Sequence, residues 1–497
     1  MVFVQTRDAA SLDPLDSQVY TVFERAGLVY PKLLTATRDP KGDLADTKWI
    51  PTYAVQGYEF GADGTKLTFK LRQGVKFQNI APVSGREQTS ADVKYSINRY
   101  MTDKNSTFKA RYSDIASIDT PDNYTVVFNL KKPSRYLLYA LAAEPSLITP
   151  QEIEKQDGNF KNKAIGSGPF ILQNVNQGEG ATFKKNPDFI DAAKIYYNNF
   201  LIKVITDGQT RDAAMKTGQS DFQTISSFSK TDIAAVTSPN VRTYAFPSTG
   251  NSGYWFNMRN PKWADIRARM AISKSIDRQA IIDQVFQSDG ALTGPVPTGF
   301  GKWSLTEDEL RAMNAMKYDP AEATKLWQAA GKPSTLNKTY TAPKAIAPAY
   351  VTMAELIAQQ LEKNLGVKSE ISTDEYATFV ANVYNNKFED IGLFGMSLFD
   401  PLDYVLQQYY PGGTRNGPGL NDPKVNAMLD DVRATLDDAQ AQQKVRNTSK
   451  YLLDNVLSMA HMPIVRGYNA ENAKLQNFYS GVYPPGIEWS LTSWKTK

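Results

Sequence analysis

Segments with a repeat of two alternate with segments of helical repeat along this whole chain. That interleaving limits the fold more than any other feature. Leu67, Phe69 and Leu71 alternate with Thr68, Lys70 and Arg72. The pattern predicts a strand with one buried face, entered through the turn Ala62-Asp63-Gly64-Thr65 and left through Gln73-Gly74. Thr89-Ser90-Ala91-Asp92 then predicts a helix start, with Thr89 as N-cap and Asp92 at the third position. Val93, Ile97, Tyr100 and Met101 form the buried stripe of that helix. A turn at Pro121-Asp122-Asn123 precedes a predicted strand from Tyr124 to Leu130, which stops at Lys132-Pro133.

The alternation continues. An amphipathic stretch runs from Val19 to Leu34, and strands are expected at Ile171–Val175, Phe200–Ile205 and Val367–Ile371. Helices are expected from Arg211 to Thr217, from Ile266 to Phe286, from Pro320 to Ala330 and from Met353 to Leu365. Gly218, Gly331 and Gly366 close three of them. Because the two periods mix rather than segregate, the expected class is α/β, with α+β character. A chain of 497 residues is too long for one core, so two or three domains are expected. No fixed-period repeat is present.

Composition removes much chemistry. There is no cysteine and a single histidine, His461. Thiolate nucleophiles, zinc knuckles, iron–sulfur clusters and disulfides are excluded, and a metal centre would need oxygen ligands. A Ser-His-Asp hydrolase would hang on His461 alone, and no G-x-S-x-G elbow exists. Lys and Arg number 56 against 52 Asp and Glu, spread along the chain without a like-charge block. No nucleic-acid partner is expected. Gly166 and Gly168 lack the Lys-Ser/Thr that would make a phosphate loop. No apolar run approaches the roughly 18 residues of a membrane span; Tyr136–Ala143 is among the longest. Met1–Thr6 shows no basic segment ahead of an apolar stretch, which fits either a cytosolic chain or a mature exported form whose signal has been removed.

Several segments together resemble the family-5 solute-binding proteins of ABC importers, the oligopeptide, dipeptide and nickel-binding type. Ser11-Leu12-Asp13-Pro14 matches an N-terminal S-L-D-P. Trp49-Ile50-Pro51 followed by Asp63–Phe77 is similar to P-x-L-A…D-G-x-x-x-x-F-x-L-R-x-G-V-x-F. Thr89–Ser96 matches T-A-x-D-V-x-x-S, and Gly166–Phe170 matches G-T-G-P-Y/F. Met215–Asp221, Asp265–Ile281 and Tyr318-Asp319-Pro320 match L-x-x-G-E-x-D, the D-x-R-V-R-x-A-I helix and a Y-D-P helix start. The matches keep family order from residue 11 to about residue 465, so they cover essentially the whole chain.

The resemblance implies a two-lobe, periplasmic-binding-protein-like fold of class II type, with a satellite domain and a hinge. Lobe 1 would comprise residues 1–46, 165–260 and 468–497, the satellite domain residues 47–164, and lobe 2 residues 261–467. The chain would cross between lobes near Tyr254–Asn257 and near Val465–Gly467. It implies a monomer outside the cytoplasm, periplasmic or lipid-anchored, that encloses a small ligand and presents it to a membrane permease. No cofactor and no metal are implied.

In peptide-binding members, ligand backbone lies against a stretch after S-L-D-P, here Gln18-Val19-Tyr20. It also pairs with a W-x-x-D-x-x-D-P segment, here Phe394-Gly395-Met396-Ser397-Leu398-Phe399-Asp400-Pro401. Asp400-Pro401 is kept, but the family Trp is Phe394 and the ammonium-binding Asp is Ser397. Asp400 or Asp403 could substitute; otherwise the ligand is neutral, such as an oligosaccharide held on aromatic platforms. Leu393, Gly395, Trp255, Asn257 and Tyr404 complete the expected contacts. Tyr20, Trp303, Phe399, Tyr409, Tyr410 and Trp489 are further aromatics, each as well suited to core packing as to stacking. His461, beside Met462-Pro463, reads as a satisfied core residue rather than a nickel or haem ligand, and Asp277-Arg278 as a helix-surface ion pair. A carboxylate-pair glycosidase and a chemoreceptor partner or scaffold are the competing classes.

Overall fold

The computed structural model describes all residues except Thr6, Ala10, 16–19, 38–47, Thr107, Glu144, 226–233, Ala235, Pro247, 345–346, Phe399, 479–493 and 496–497. Three sheets organise it. The first is seven-stranded and mixed, in the order Val241–Phe246, Gly467–Asn472, Phe222–Ile225, Val2–Gln5, Asn199–Val204, Gly180–Lys185, Phe170–Asn176. Val2–Gln5 lies parallel to Asn199–Val204, and the outer pairs are antiparallel. The second is five-stranded: Lys368–Ser372, Leu336–Thr341, Ile391–Ser397, Gly250–Phe256, Met459–Met462. The third is a four-stranded antiparallel sheet of Val55–Phe60, Lys66–Leu71, Thr125–Leu130 and Ile115–Asp122.

The four-stranded sheet follows from its alternation. Leu67, Phe69 and Leu71 are buried, and Leu67 and Phe69 stand opposite Phe128 and Val126. Gly64 takes φ +68° in the entry turn, where Asp63 accepts the Thr65 N–H. The helix Ser90–Thr102 starts where expected, with the Asp92 carboxylate accepting the Thr89 N–H at 2.9 Å. Gly166 and Gly168 are packing residues: a Cβ on either would fall within 2.5 Å of the Val29 carbonyl oxygen.

Two expectations are corrected. The long helix expected from Ile266 to Phe286 is two helices, Ile266–Lys274 and Arg278–Val285. The Ser275 N–H closes the first on the Ala271 carbonyl, and Asp277 starts the second by accepting the Ala280 N–H. Arg278 is not on the surface. It is 4% exposed, and its guanidinium donates to the carbonyls of His461 and Ser273 rather than to a carboxylate. The chain passes from the first sheet to the second between Phe246 and Gly250. Val241–Phe246 belongs to the seven-stranded sheet and Gly250–Phe256 already to the five-stranded one. The return falls at Arg466, between strands ending at Val465 and beginning at Gly467.

Candidate ligand site between the lobes

Strand Ile391–Ser397 pairs antiparallel with Gly250–Phe256, placing Phe394 opposite Gly253 and Ser397 opposite Gly250. Alternation divides its side chains. Leu393 is fully buried in the core formed with Tyr254 and Phe256, while Phe394 and Met396 enter a second core with Trp255 and Tyr404. Phe394 is the hub of that core, its ring centroid 5.1 Å from Phe379, 5.7 Å from Tyr384 and 6.4 Å from Trp255. Trp255 has no exposed surface. In this arrangement both aromatics pack rather than face an opening. Gly395 is required: a Cβ there would sit 1.7 Å from the Tyr350 hydroxyl.

The remaining expected residues divide into anchors and one free position. Asn257 gives its amide to the carbonyls of Phe388 and Glu389, at 2.6 and 3.2 Å. Tyr404 donates to the Thr249 carbonyl and accepts the Leu398 N–H at 2.8 Å, tying the strand end to the crossing segment. Ser397 ends its strand exposed, its hydroxyl beside Gly250. Tyr20 opens the helix Tyr20–Ala26, whereas Gln18 and Val19 lie outside the described residues, as do Phe399 and Trp489. Tyr409 meets His461 Nε2 at 3.1 Å, and Tyr410 donates to Asp430. Burial pushes the His461 imidazole down to about 3, with the Arg278 charge adding to it, so it is neutral and structural.

Both substitute carboxylates are already engaged. Asp400 caps helix Pro401–Tyr409 by accepting the Leu402 N–H at 2.7 Å. Burial, then the charge of Asp403, pushes its carboxyl up to about 7. Asp403 accepts the hydroxyls of Tyr136 and Tyr139, each at 2.5 Å, and Arg111 stands 3.7 Å away. Burial and the Asp403 charge raise the Tyr136 phenol, which keeps it a donor. These tyrosines and Arg111 were not expected from the sequence. Their only sequence signal is the i, i+3 spacing of Tyr136 and Tyr139 in a long apolar run. Among the described residues no cluster of His, Asp and Glu could hold a metal ion, and no helix is long and apolar enough to cross a membrane.

The family model for bacterial extracellular solute-binding proteins, family 5, matches residues 39–416, so this chain belongs to that family. Its fold is the two-lobe one of that family. It is 27% identical over 491 residues to Di/tripeptide-binding protein 1 of Pseudomonas aeruginosa, covering 92% of this chain and 87% of the relative. It is 25% identical over 386 residues to the glutathione-binding protein GsiB of Salmonella typhimurium, covering 77% and 71%. Among solved structures, AgaA in complex with agropinic acid, from A.tumefacien, superposes with a TM-score of 0.80 at 23% identity, covering 100% of this chain and 98% of that one.

Proposed function

We propose that this chain is an extracytoplasmic binding protein that captures a small solute between its lobes and delivers it to the permease of an ABC importer. Membership of the family across residues 39–416 carries this reading, and relatives named for di- and tripeptides and for glutathione favour the peptide class. The division into lobe 1 (1–46, 165–260, 468–497), satellite domain (47–164) and lobe 2 (261–467) goes with it, with strand Gly250–Phe256 lent to the lobe 2 sheet, as does a monomer without catalytic turnover. Gln18, Val19, Tyr20 and the 393–404 segment would flank the ligand. Native mass spectrometry of the purified protein tests the reading: a mass of a few hundred daltons should leave on denaturation. A chromogenic glycoside panel should give no turnover.

One observation favours a second reading. Ser397 is exposed at the position where peptide-binding members carry the ammonium partner, and Asp400 and Asp403 are both engaged elsewhere. A neutral ligand, such as an oligosaccharide, then fits better than a free peptide amine. Ser397→Asp separates the two. A charge-assisted hydrogen bond is worth roughly 1.5–3 kcal/mol, about ten- to a hundredfold in affinity for a free-amine ligand. Calorimetry with peptide, N-acetylated peptide and oligosaccharide pools reads the result on both proteins. Tight wild-type binding of free-amine peptides that is lost on N-acetylation would withdraw the neutral reading.

A further inference from the structure

Helix Tyr136–Ala142 belongs to two cores at once. Leu137, Leu138 and Leu141 are buried against the four-stranded sheet, with Phe69, Val126 and Phe128. Tyr136 and Tyr139 on the other face, followed by Ala143, join the core built by Trp303, Leu402 and Tyr404. The spacing i, i+3, i+7 gives one helix stripe. The two tyrosine hydroxyls close on the two oxygens of Asp403, which is fully buried, and Gln407 donates to Tyr136 at 3.2 Å.

Ion pairs flank this contact. Arg433 meets Asp114 at 2.6 Å with both side chains nearly buried, and its guanidinium lies over the Tyr136 ring. Lys132 meets Asp430 at 2.7 Å, and Arg135 pairs with Asp438 while donating to the Leu436 carbonyl at 2.8 Å. Each pair joins the region of the four-stranded sheet to helices around 401–438, more than 260 residues away along the chain.

We propose that this contact is a closing clasp: the satellite region grips lobe 2 through Tyr136, Tyr139 and Asp403, so that the closed form is held in part by the protein itself, before any solute binds. Desolvation gives the contact its grip. In the clasp Asp403 has two hydroxyl donors in place of water, and removing them leaves a buried carboxylate that regains its partners only by opening to solvent. The clasp takes up both oxygens of Asp403, which therefore do not serve a ligand ammonium, so it holds whatever the solute is. It also gives the permease something to undo. A docking partner that separates the Tyr136 helix from Asp403 would lower affinity without touching the ligand.

The absence of cysteine makes the test direct. Lys66→Cys and Lys325→Cys, both exposed and on opposite sides of the clasp, take a spin-label pair. Ligand is first stripped in guanidinium and the protein refolded. Double electron–electron resonance should then give a mainly short distance. Tyr136→Phe with Tyr139→Phe should raise the open-to-closed ratio roughly tenfold or more. Lys132→Glu, at an exposed pair, tests the clasp without disturbing a core: it should shift the ratio the same way, and adding Asp430→Lys should restore it. A stripped wild type that is already open overturns the proposal. So does a Lys132→Glu distribution identical to wild type, whether or not the double Phe variant folds.

Discussion

Buried arginines are held in two different ways in the two halves of the molecule. On the lobe 1 side they meet carboxylates. Arg99 grips Asp13 with two hydrogen bonds, at 2.8 and 2.6 Å, and takes Glu154 at 2.9 Å. Arg86, though only half-buried, does the same with Asp92 and Glu152, and Arg25 meets Asp8 at 2.5 Å. In lobe 2, Arg269 and Arg278 meet main-chain carbonyls instead. Arg269 donates to Val456, Trp263 and Ala264, and Arg278 to His461 and Ser273. Burial without a facing carboxylate pushes both of the latter down to about 10, whereas the carboxylates around Arg86 and Arg99 raise theirs despite burial. The difference teaches what each half depends on. Lobe 1 is cross-linked by charges that acid can neutralise. Around Arg269 and Arg278, lobe 2 is tied by fixed dipoles that do not titrate.

The largest test is to break one tie in each half. Asp13→Asn leaves the Arg99 charge nearly buried with only half-exposed Glu154 to face it, and should cost about 3–5 kcal/mol. Arg278→Met removes the charge together with its hydrogen bonds and orphans two carbonyls, and should cost about 2–3 kcal/mol. Denaturant unfolding reads both; the reverse order would mean that the carbonyl ties are the stronger.

Acid titration sharpens the contrast next. Glu152 and Asp8 are held below the usual carboxylate range, Glu152 chiefly by the Arg86 hydrogen bond, and Asp8 because the cost of burial is outweighed by the Gly178 N–H, Arg25 and the Ala9 N–H together. A depressed carboxyl stabilises above its unfolded value and loses that contribution as pH falls through the folded one, so this part of lobe 1 weakens below about pH 4. His461 is depressed too, but as a base: its contribution is complete above about pH 6.5 and is lost as pH falls toward 3. His461 by itself should therefore weaken lobe 2 by about 5 kcal/mol over that window, a loss that the protonation of Asp400 offsets above about pH 4. The buried Trp255 and Trp263 report it by fluorescence. With the offset removed by Asp400→Asn, hydrogen exchange at Met459–Met462 that stays unchanged between pH 6.5 and 4 would contradict this.

Asp400 runs the other way. Its raised carboxyl is comfortable when protonated, so its cost appears as pH rises from about 4 and is complete above about 7. Asp400→Asn, which keeps a capping oxygen, should be neutral near pH 4 and stabilise by about 4 kcal/mol at pH 8. Thermal melts at the two pH values decide. The smallest effect belongs to the exposed pair Lys444–Asp431, where Lys444→Ala should cost less than about 1 kcal/mol and less still in salt.

Much of the local structure was legible because its causes are local. The Thr89–Asp92 cap, the Leu67–Leu71 strand and the glycines closing helices at Gly218, Gly331 and Gly366 each depend on residues within a few positions. The break at Ser275–Asp277 was missed because the apolar stripe runs through it. What ends the helix is a capping aspartate and an arginine drawn into the core by the His461 carbonyl, 183 residues away. The site was less legible for the same reason. Asp403 looked available for a ligand ammonium, and nothing near it in the chain says that its oxygens are taken by tyrosines 264 and 267 positions earlier. Trp255 and Phe394 looked like stacking platforms because an aromatic ring serves a core and a ligand equally well.

The helix shared between two cores limits how this chain can be recombined. A satellite region exchanged with a relative's would bring its own residues at positions 136, 139 and 143, while the acceptor kept Asp403, Arg433 and Leu402. Such a chimera would fold each part and still mate badly. A working graft has to carry the 401–438 segment with the satellite, which makes two stretches far apart in sequence a single unit of inheritance.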